Sequence, residues 1–211
     1  MKRTFGTLVI LALASASSVL AQWELGGFGG FGLSNNLTAS GIVGSATTGL
    51  RNGAAWGLVG GHSGRYLGGE IRYTSREGDL KLKQGGTDVT FQSRSNTVHY
   101  DMLLHVKDQR SPVRPFIAFG GGVRRYDGNG RESAVQPLSS FVLLTSTQQT
   151  TPLVSLGGGV KAMLGNHVIV RAEARDLMTP TPKNLLTPAP GASLSGWIHD
   201  VVPMIGISFT F

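Results

Sequence analysis

The sequence predicts an all-β chain: eight antiparallel strands closed into a barrel that crosses a membrane, with short turns at one end and four long connections at the other. Three observations predict it. The stretch 201–211 alternates, with Val201, Pro203, Ile205, Ile207, Phe209 and Phe211 on one face and Val202, Met204, Gly206, Ser208 and Thr210 on the other; a period of two is a strand. Short and long connections between the strand candidates alternate strictly, as they do in membrane barrels. The strands also carry their charges on one face. An Arg or Lys facing mid-bilayer lipid costs ~2–4 kcal/mol, so the charged faces must point into the lumen.

The elements follow in order. Met1-Lys2-Arg3, an apolar run over 8–13, small residues over 14–18 and Val19-Leu20-Ala21 read as a secretory signal peptide over 1–21, with Gln22 the first mature residue. The apolar run is too short to span ~30 Å of hydrocarbon. One domain over 22–211 is expected to follow. Its strands are read at 23–32, 54–61, 66–74, 95–106, 114–126, 153–164, 167–177 and 197–211. Short connections lie at 62–65, 108–112 and 165–166, and long ones at 33–53, 75–94, 127–152 and 178–196. With eight strands both termini fall on the side of the short turns, the periplasmic side, and the long connections are extracellular.

Faces and charges agree. Glu24, Glu70, Arg72, Asp101, Arg124, Lys161, Arg171, Glu173 and Arg175 all occupy predicted inward positions. An eight-stranded bore is just wide enough for side chains to fill, so opposite charges there should pair as a lumen network. Trp23, Trp56, Tyr73 and Trp197 stand near strand ends, where interface aromatics belong. The outward faces contact outer-membrane lipid. Anionic lipopolysaccharide is the natural partner of a chain whose formal charge of +7 falls to +5 without Lys2 and Arg3.

Gly206-x-x-Phe209-x-Phe211 resembles the C-terminal assembly signal of bacterial outer-membrane β-barrels, with Met204 in place of the usual polar residue two before the Gly. The resemblance implies that the barrel-assembly machinery reads Gly206, Phe209 and Phe211. Gly157-Gly158-Gly159-Val160-Lys161 followed by Val170-Arg171-Ala172-Glu173-Ala174-Arg175-Asp176 resembles the late hairpin of small OmpA-type and opacity-protein-type barrels. Pro115-Phe116-Ile117-Ala118-Phe119-Gly120-Gly121-Gly122 resembles their fifth strand. The resemblance covers the predicted mature chain in layout, though its motifs are short, and implies outer-membrane location. Larger members carry a peptidoglycan-binding domain after the barrel; the sequence stops at Phe211, so that function is not carried over.

Catalytic and cofactor chemistry is not expected. There is no Cys, which removes lipoprotein anchors, disulfides and thiolate metal sites. Gly27-x-Gly29-x-x-Gly32 matches a dinucleotide fingerprint in spacing, but no βαβ unit surrounds it. His99 and His105 share a face with Asp101, yet residues six apart on a strand stand about 20 Å apart, so no metal site is expected. A lipid-modifying barrel enzyme of the deacylase type needs His-x-Ser, and only the adjacent His62-Ser63 occurs. His199-Asp200, at the rim, face opposite sides of their strand. Nucleic acid is not an expected partner, because basic and aromatic residues are not interleaved on one face. The expectation is a monomeric, non-catalytic barrel with a structural or surface-contact role through its extracellular loops. The alternative is a narrow channel for ions or small solutes.

Overall fold

The computed structural model describes residues 22–41, 44–131 and 136–211; the expected signal peptide over 1–21 lies outside the described residues. Among the described residues fifteen strands follow in chain order. The first five are β1 (Gln22–Ser34), β2 (Asn36–Gly41), β3 (Gly44–Leu50), β4 (Gly53–Ser63) and β5 (Leu67–Glu77). Next come β6 (Leu80–Gln84), β7 (Thr87–Phe91), β8 (Ser93–His105), β9 (Val113–Gly128) and β10 (Val142–Leu144). The last are β11 (Gln148–Leu164), β12 (Val168–Pro180), β13 (Leu186–Pro188), β14 (Ser193–Leu194) and β15 (Trp197–Thr210).

Eight of these strands form a closed antiparallel barrel in the order β1-β15-β12-β11-β9-β8-β5-β4. They are the eight strands expected from the alternation, most of them longer by one to five residues at an end. The barrel closes where β1 meets β15, with Glu24 opposite Thr210 and Phe28 opposite Gly206. Trp23 and Phe211 exchange two backbone hydrogen bonds of 3.1 Å at the end of that seam.

Period two sorts the side chains as lipid requires. Outside, Val98, Tyr100 and Met102 on β8 and Val201, Ile205, Ile207 and Phe209 on β15 are exposed. An apolar belt of this extent would aggregate in water but is the ordinary surface of a membrane barrel. The belt stops where charge begins. Arg94 pairs with Glu77 (3.6 Å) and Arg125 with Asp127 (2.9 Å), and His199 Nδ1 meets an Asp176 carboxylate oxygen at 2.8 Å, forming a rim of outward polar contacts above the belt. A membrane strand needs only about 9–11 residues. At 16 and 17 residues, β9 and β11 continue past the rim.

The four long connections are not open loops. Their described residues form seven strands, arranged as a five-stranded sheet in the order β14-β2-β3-β6-β7 and a two-stranded sheet of β10 and β13. Leu37, Ala39, Ala46, Leu50, Leu80, Leu82, Phe91, Phe141, Val142, Leu144, Leu185, Leu186 and Leu194 form a hydrophobic core there, joined from the barrel strands by Tyr126 and Ile198. This core caps one end of the barrel. The tight β6–β7 turn depends on Gly85 (φ 53°) and Gly86 (φ 86°), both in the left-handed region that a two-residue hairpin turn requires.

Candidate functional site

Charged and apolar side chains occupy the lumen, and its chemistry is layered. Inward positions on β1, β5, β8, β11 and β12 bring Glu24, Glu70, Asp101 and Glu173 together with Arg72, Lys161, Arg171 and Arg175. Glu70 is the hub. It accepts from Arg72 at 2.6 Å and from Arg171 and Arg175 at 2.7 Å each, and Lys161 stands 3.9 Å away. Glu173 takes Arg72 at 2.6 Å and Arg175 at 3.0 Å. Glu24 holds Lys161 at 2.6 Å, and Asp101 holds Arg175 at 2.5 Å and accepts from Ser155 at 3.3 Å. Carboxylates and cations are equal in number, which is what a dry site demands, because a buried charge without a partner carries a desolvation cost of several kcal/mol.

The walls make room for this network. On β11, a Cβ at Gly157 would lie 2.6 Å from Cδ of Arg175, and one at Gly159 would lie 2.5 Å from Cβ of Glu173. The glycine run thus provides the floor on which the β12 side chains lie flat. Aromatic rings cover other sides: the guanidinium of Arg72 stands 4.4 Å from the centre of the Phe28 ring, and that of Arg175 stands 5.7 Å from Phe116. Contacts of this kind favour a cation without adding an acid.

Above the network comes an apolar layer that includes Phe28, Val59, Leu153, Leu177, Val202 and Met204. Above that lies a second cluster. Asp200 pairs with Arg124 at 2.8 Å and Arg76 at 3.2 Å. Ser34 donates to Asp200 at 2.9 Å, and Arg76 is further held by the carbonyls of Gly32 and Arg51. The Tyr126 and Thr179 hydroxyls meet at 2.6 Å beneath the cap core. At the opposite end of the barrel, Arg114 donates to the carbonyls of Gly64 and Arg65 across the short turns. Beside it is a cavity of about 20 Å³ lined by Glu24, Ser63, Arg114 and Lys161 among others, room for about one water.

The nine charged residues expected inside are all buried, but they do not form one group. Eight make the central network; Arg124 lies apart, in the second cluster. Arg76 and Asp200 complete that cluster and were not expected there. Parity could have found Arg76, since it continues the inward series of Arg72 and Thr74, and Asp200 continues that of Val202 and Met204. His99 Nε2 lies 3.4 Å from Asp101, and His105 packs on Phe116 at 5.9 Å between ring centres. Among the described residues no group of three His, Asp or Glu could hold a metal ion. His62 faces Trp23 outside the wall at 5.9 Å while Ser63 is buried, so the two do not meet. Trp56 and Tyr73 stack edge to face at 6.0 Å on the outer wall, and Trp23, Trp197, Phe209 and Phe211 are exposed on it. Gly206 is inward-facing, with Cγ of Arg171 3.0 Å from where a Cβ would be.

Residues 7–186 match the family model for the outer membrane protein beta-barrel domain. No curated protein sequence matches the chain. Among solved structures, Neisserial surface protein A superposes with a TM-score of 0.55 at 15% identity, over 90% of this chain and 99% of that one. Outer membrane protein AlkL, determined by solid-state NMR in DMPC bilayers, gives 0.51 at 13% identity over 93% of both chains. The N-terminal β-barrel domain of OprF from Pseudomonas aeruginosa gives 0.49 at 12% identity, over 89% of this chain and 97% of that one.

Proposed function

The chain belongs to the outer membrane protein beta-barrel domain family, and from that premise we propose that it is a non-catalytic barrel of the outer membrane whose lumen is a stabilising plug and whose cap is its contact surface. Its place in the outer membrane and its contact with membrane lipid follow from the family. The observation that carries the plug is the central network: eight charges from five strands, four carboxylates against four cations, form ion pairs across the bore. A conducting path would need water beside those charges, and their side chains are 5% exposed or less. The cap supports the same reading, because its apolar core lies across the end of the lumen that the long connections enclose.

In this reading the cap faces outward and the short turns face the periplasm. The rim pairs stand at the level of lipopolysaccharide phosphates, Gly206, Phe209 and Phe211 are read by the barrel-assembly machinery, and the aromatic side chains of Trp23, Trp56, Tyr73 and Trp197 anchor the two interfaces. The barrel acts as a monomer, after removal of the signal peptide before Gln22. The test is electrical. Purified protein inserted in a planar bilayer should remain silent under applied voltage. Stepwise, reproducible conductance would replace this reading with that of a narrow channel.

A further inference from the structure

The cap sheet has two faces of different chemistry. Leu37, Ala39, Ala46, Leu50, Leu80 and Leu82 point into the cap core. The residues between them point away, and the register sets them in rows across the strands. Thr38 lies opposite Thr47, Thr47 opposite Lys83, and Lys83 opposite Asp88. In the next row Asn36 lies opposite Gly49, Gly49 opposite Lys81, and Lys81 opposite Thr90. Ser193, Ser40 and Ser45 make a third row. Arg51 reaches into the second row, its Nη1 donating to the Thr90 hydroxyl at 3.3 Å.

One half of this face is therefore hydroxyl and amide, and the other half is cationic. Three cations gather there against a single acid, Asp88, which Lys83 holds at 2.6 Å. Lys81, half-buried, is held below the ordinary lysine range by burial and by its neighbours Lys83 and Arg51. The rim arginines Arg94 and Arg125 are each matched by a carboxylate; the charge on the sheet is not. Lys81 and Lys83 share one face of β6, with Arg51 beside them; like charges this close repel one another, and a bound anion relieves the repulsion. The rows just described contain no aromatic side chain for stacking bases or neutral sugar rings and no apolar anchor for a protein partner. What remains is flat, rich in hydroxyls and positively charged. That combination matches a chain of sugars carrying sulfate or carboxylate groups, whose hydroxyls meet the Ser, Thr and Asn rows while its anions meet the cations.

We propose that the outer face of the cap sheet binds a polyanionic glycan from outside the cell, its acidic groups held by Arg51, Lys81 and Lys83. The proposal rests on the cap being the outward contact surface, and the experiment separates the two. The full chain, folded in phosphatidylcholine nanodiscs, is titrated with fluorescein-labelled heparin oligosaccharide. Binding is expected, and it should weaken strongly between about 0.05 M and about 0.5 M salt as charges are screened. Lys81→Gln/Lys83→Gln should bind about tenfold more weakly, a loss of about 1.4 kcal/mol, with unchanged gel mobility of the folded barrel. Arg94→Gln, at the rim, should bind as the parent does. Uncharged dextran should not compete. Failure of the parent to bind heparin, equal binding by the double variant, or competition by dextran would each overturn the proposal. So would binding of lipopolysaccharide vesicles that heparin does not displace, which would assign the face to the membrane's own saccharide. The chain has no cysteine, so Lys83→Cys on intact cells reports the premise separately. Labelling by a membrane-impermeant maleimide supports an outward cap, and absence of labelling removes the premise itself.

Discussion

Glu70 is where the lumen is most sensitive. Its two oxygens take three guanidinium contacts at 2.6–2.7 Å, with the Lys161 ammonium at 3.9 Å. Glu70→Ala leaves four cations facing three carboxylates in a site where the hub side chain is 3% exposed. Removing one partner from a buried ion pair costs about 3–5 kcal/mol, because the remaining charge stays desolvated. The neighbouring Glu173 also reaches Arg72, Arg171 and Arg175 and compensates in part, which places the expected loss near the middle of that range, about 4 kcal/mol. With a urea dependence of about 2 kcal/mol per molar, the unfolding midpoint should fall by about 2 M. The assay is equilibrium unfolding in lipid vesicles, followed by tryptophan fluorescence and by the mobility difference between boiled and unboiled samples. Glu70→Ala/Arg171→Ala restores charge balance, and its loss should be smaller than the sum of the two single losses. A Glu70→Ala midpoint within about 0.25 M of the parent would mean that water screens these charges, as at an exposed pair worth only about 0–1 kcal/mol. That result would refute the packed plug.

Other predictions follow from the same geometry. Gly157→Val places a side chain where Cδ of Arg175 and the carbonyl of Ala174 already stand within 2.6 Å; the overpacked barrel should lose about 1–3 kcal/mol in the same urea assay. Leu82→Ala removes a fully buried side chain from the cap core, a loss of about 2–5 kcal/mol. The loss should be local, with trypsin cutting faster at Lys81 and Lys83 while the barrel keeps its gel mobility. Phe211→Asp puts a charge on an outward position that is 77% exposed, and the yield of folded protein in outer-membrane fractions should drop sharply; a normal yield would remove Phe211 from the assembly signal. Protease added to intact cells should cut near Arg131 or Lys183, on the cap side, and cleavage at Lys107 or Arg110 would invert the topology.

The barrel was legible because its requirements are periodic. A strand between lipid and a packed lumen must alternate at every position, so Arg171, Glu173 and Arg175 announce an inward face without any partner being known. The pairing itself was not legible. That Arg72 joins Glu70 to Glu173, or that Arg124 belongs with Asp200, depends on shear around the closed sheet, which no single strand encodes. The strand read at 66–74 stopped short of Arg76 because Ser75-Arg76-Glu77-Gly78 is polar in composition, although its parity was unbroken. The cap escaped for a related reason. Its strands are two to seven residues long, too short for the alternation to stand out, and they are rich in Ser, Thr and Gly, as loops are. One signal was available: Leu80-Lys81-Leu82-Lys83 before Gly85-Gly86, a hairpin in miniature.

The cap core draws its side chains from all four long connections, and no one connection holds enough of them. The first contributes Leu37, Ala39, Ala46 and Leu50, the second Leu80, Leu82 and Phe91, the third Phe141, Val142 and Leu144, and the fourth Leu185, Leu186 and Leu194. An isolated two-stranded hairpin is at best marginally stable in water, so no single connection would hold its folded form alone. Only when β1 meets β15 are the four brought within reach of one another. Barrel closure therefore holds the cap together as well as the wall: a barrel open at the β1–β15 seam would leave the four groups of side chains apart, and the outer sheets would lose the core they share.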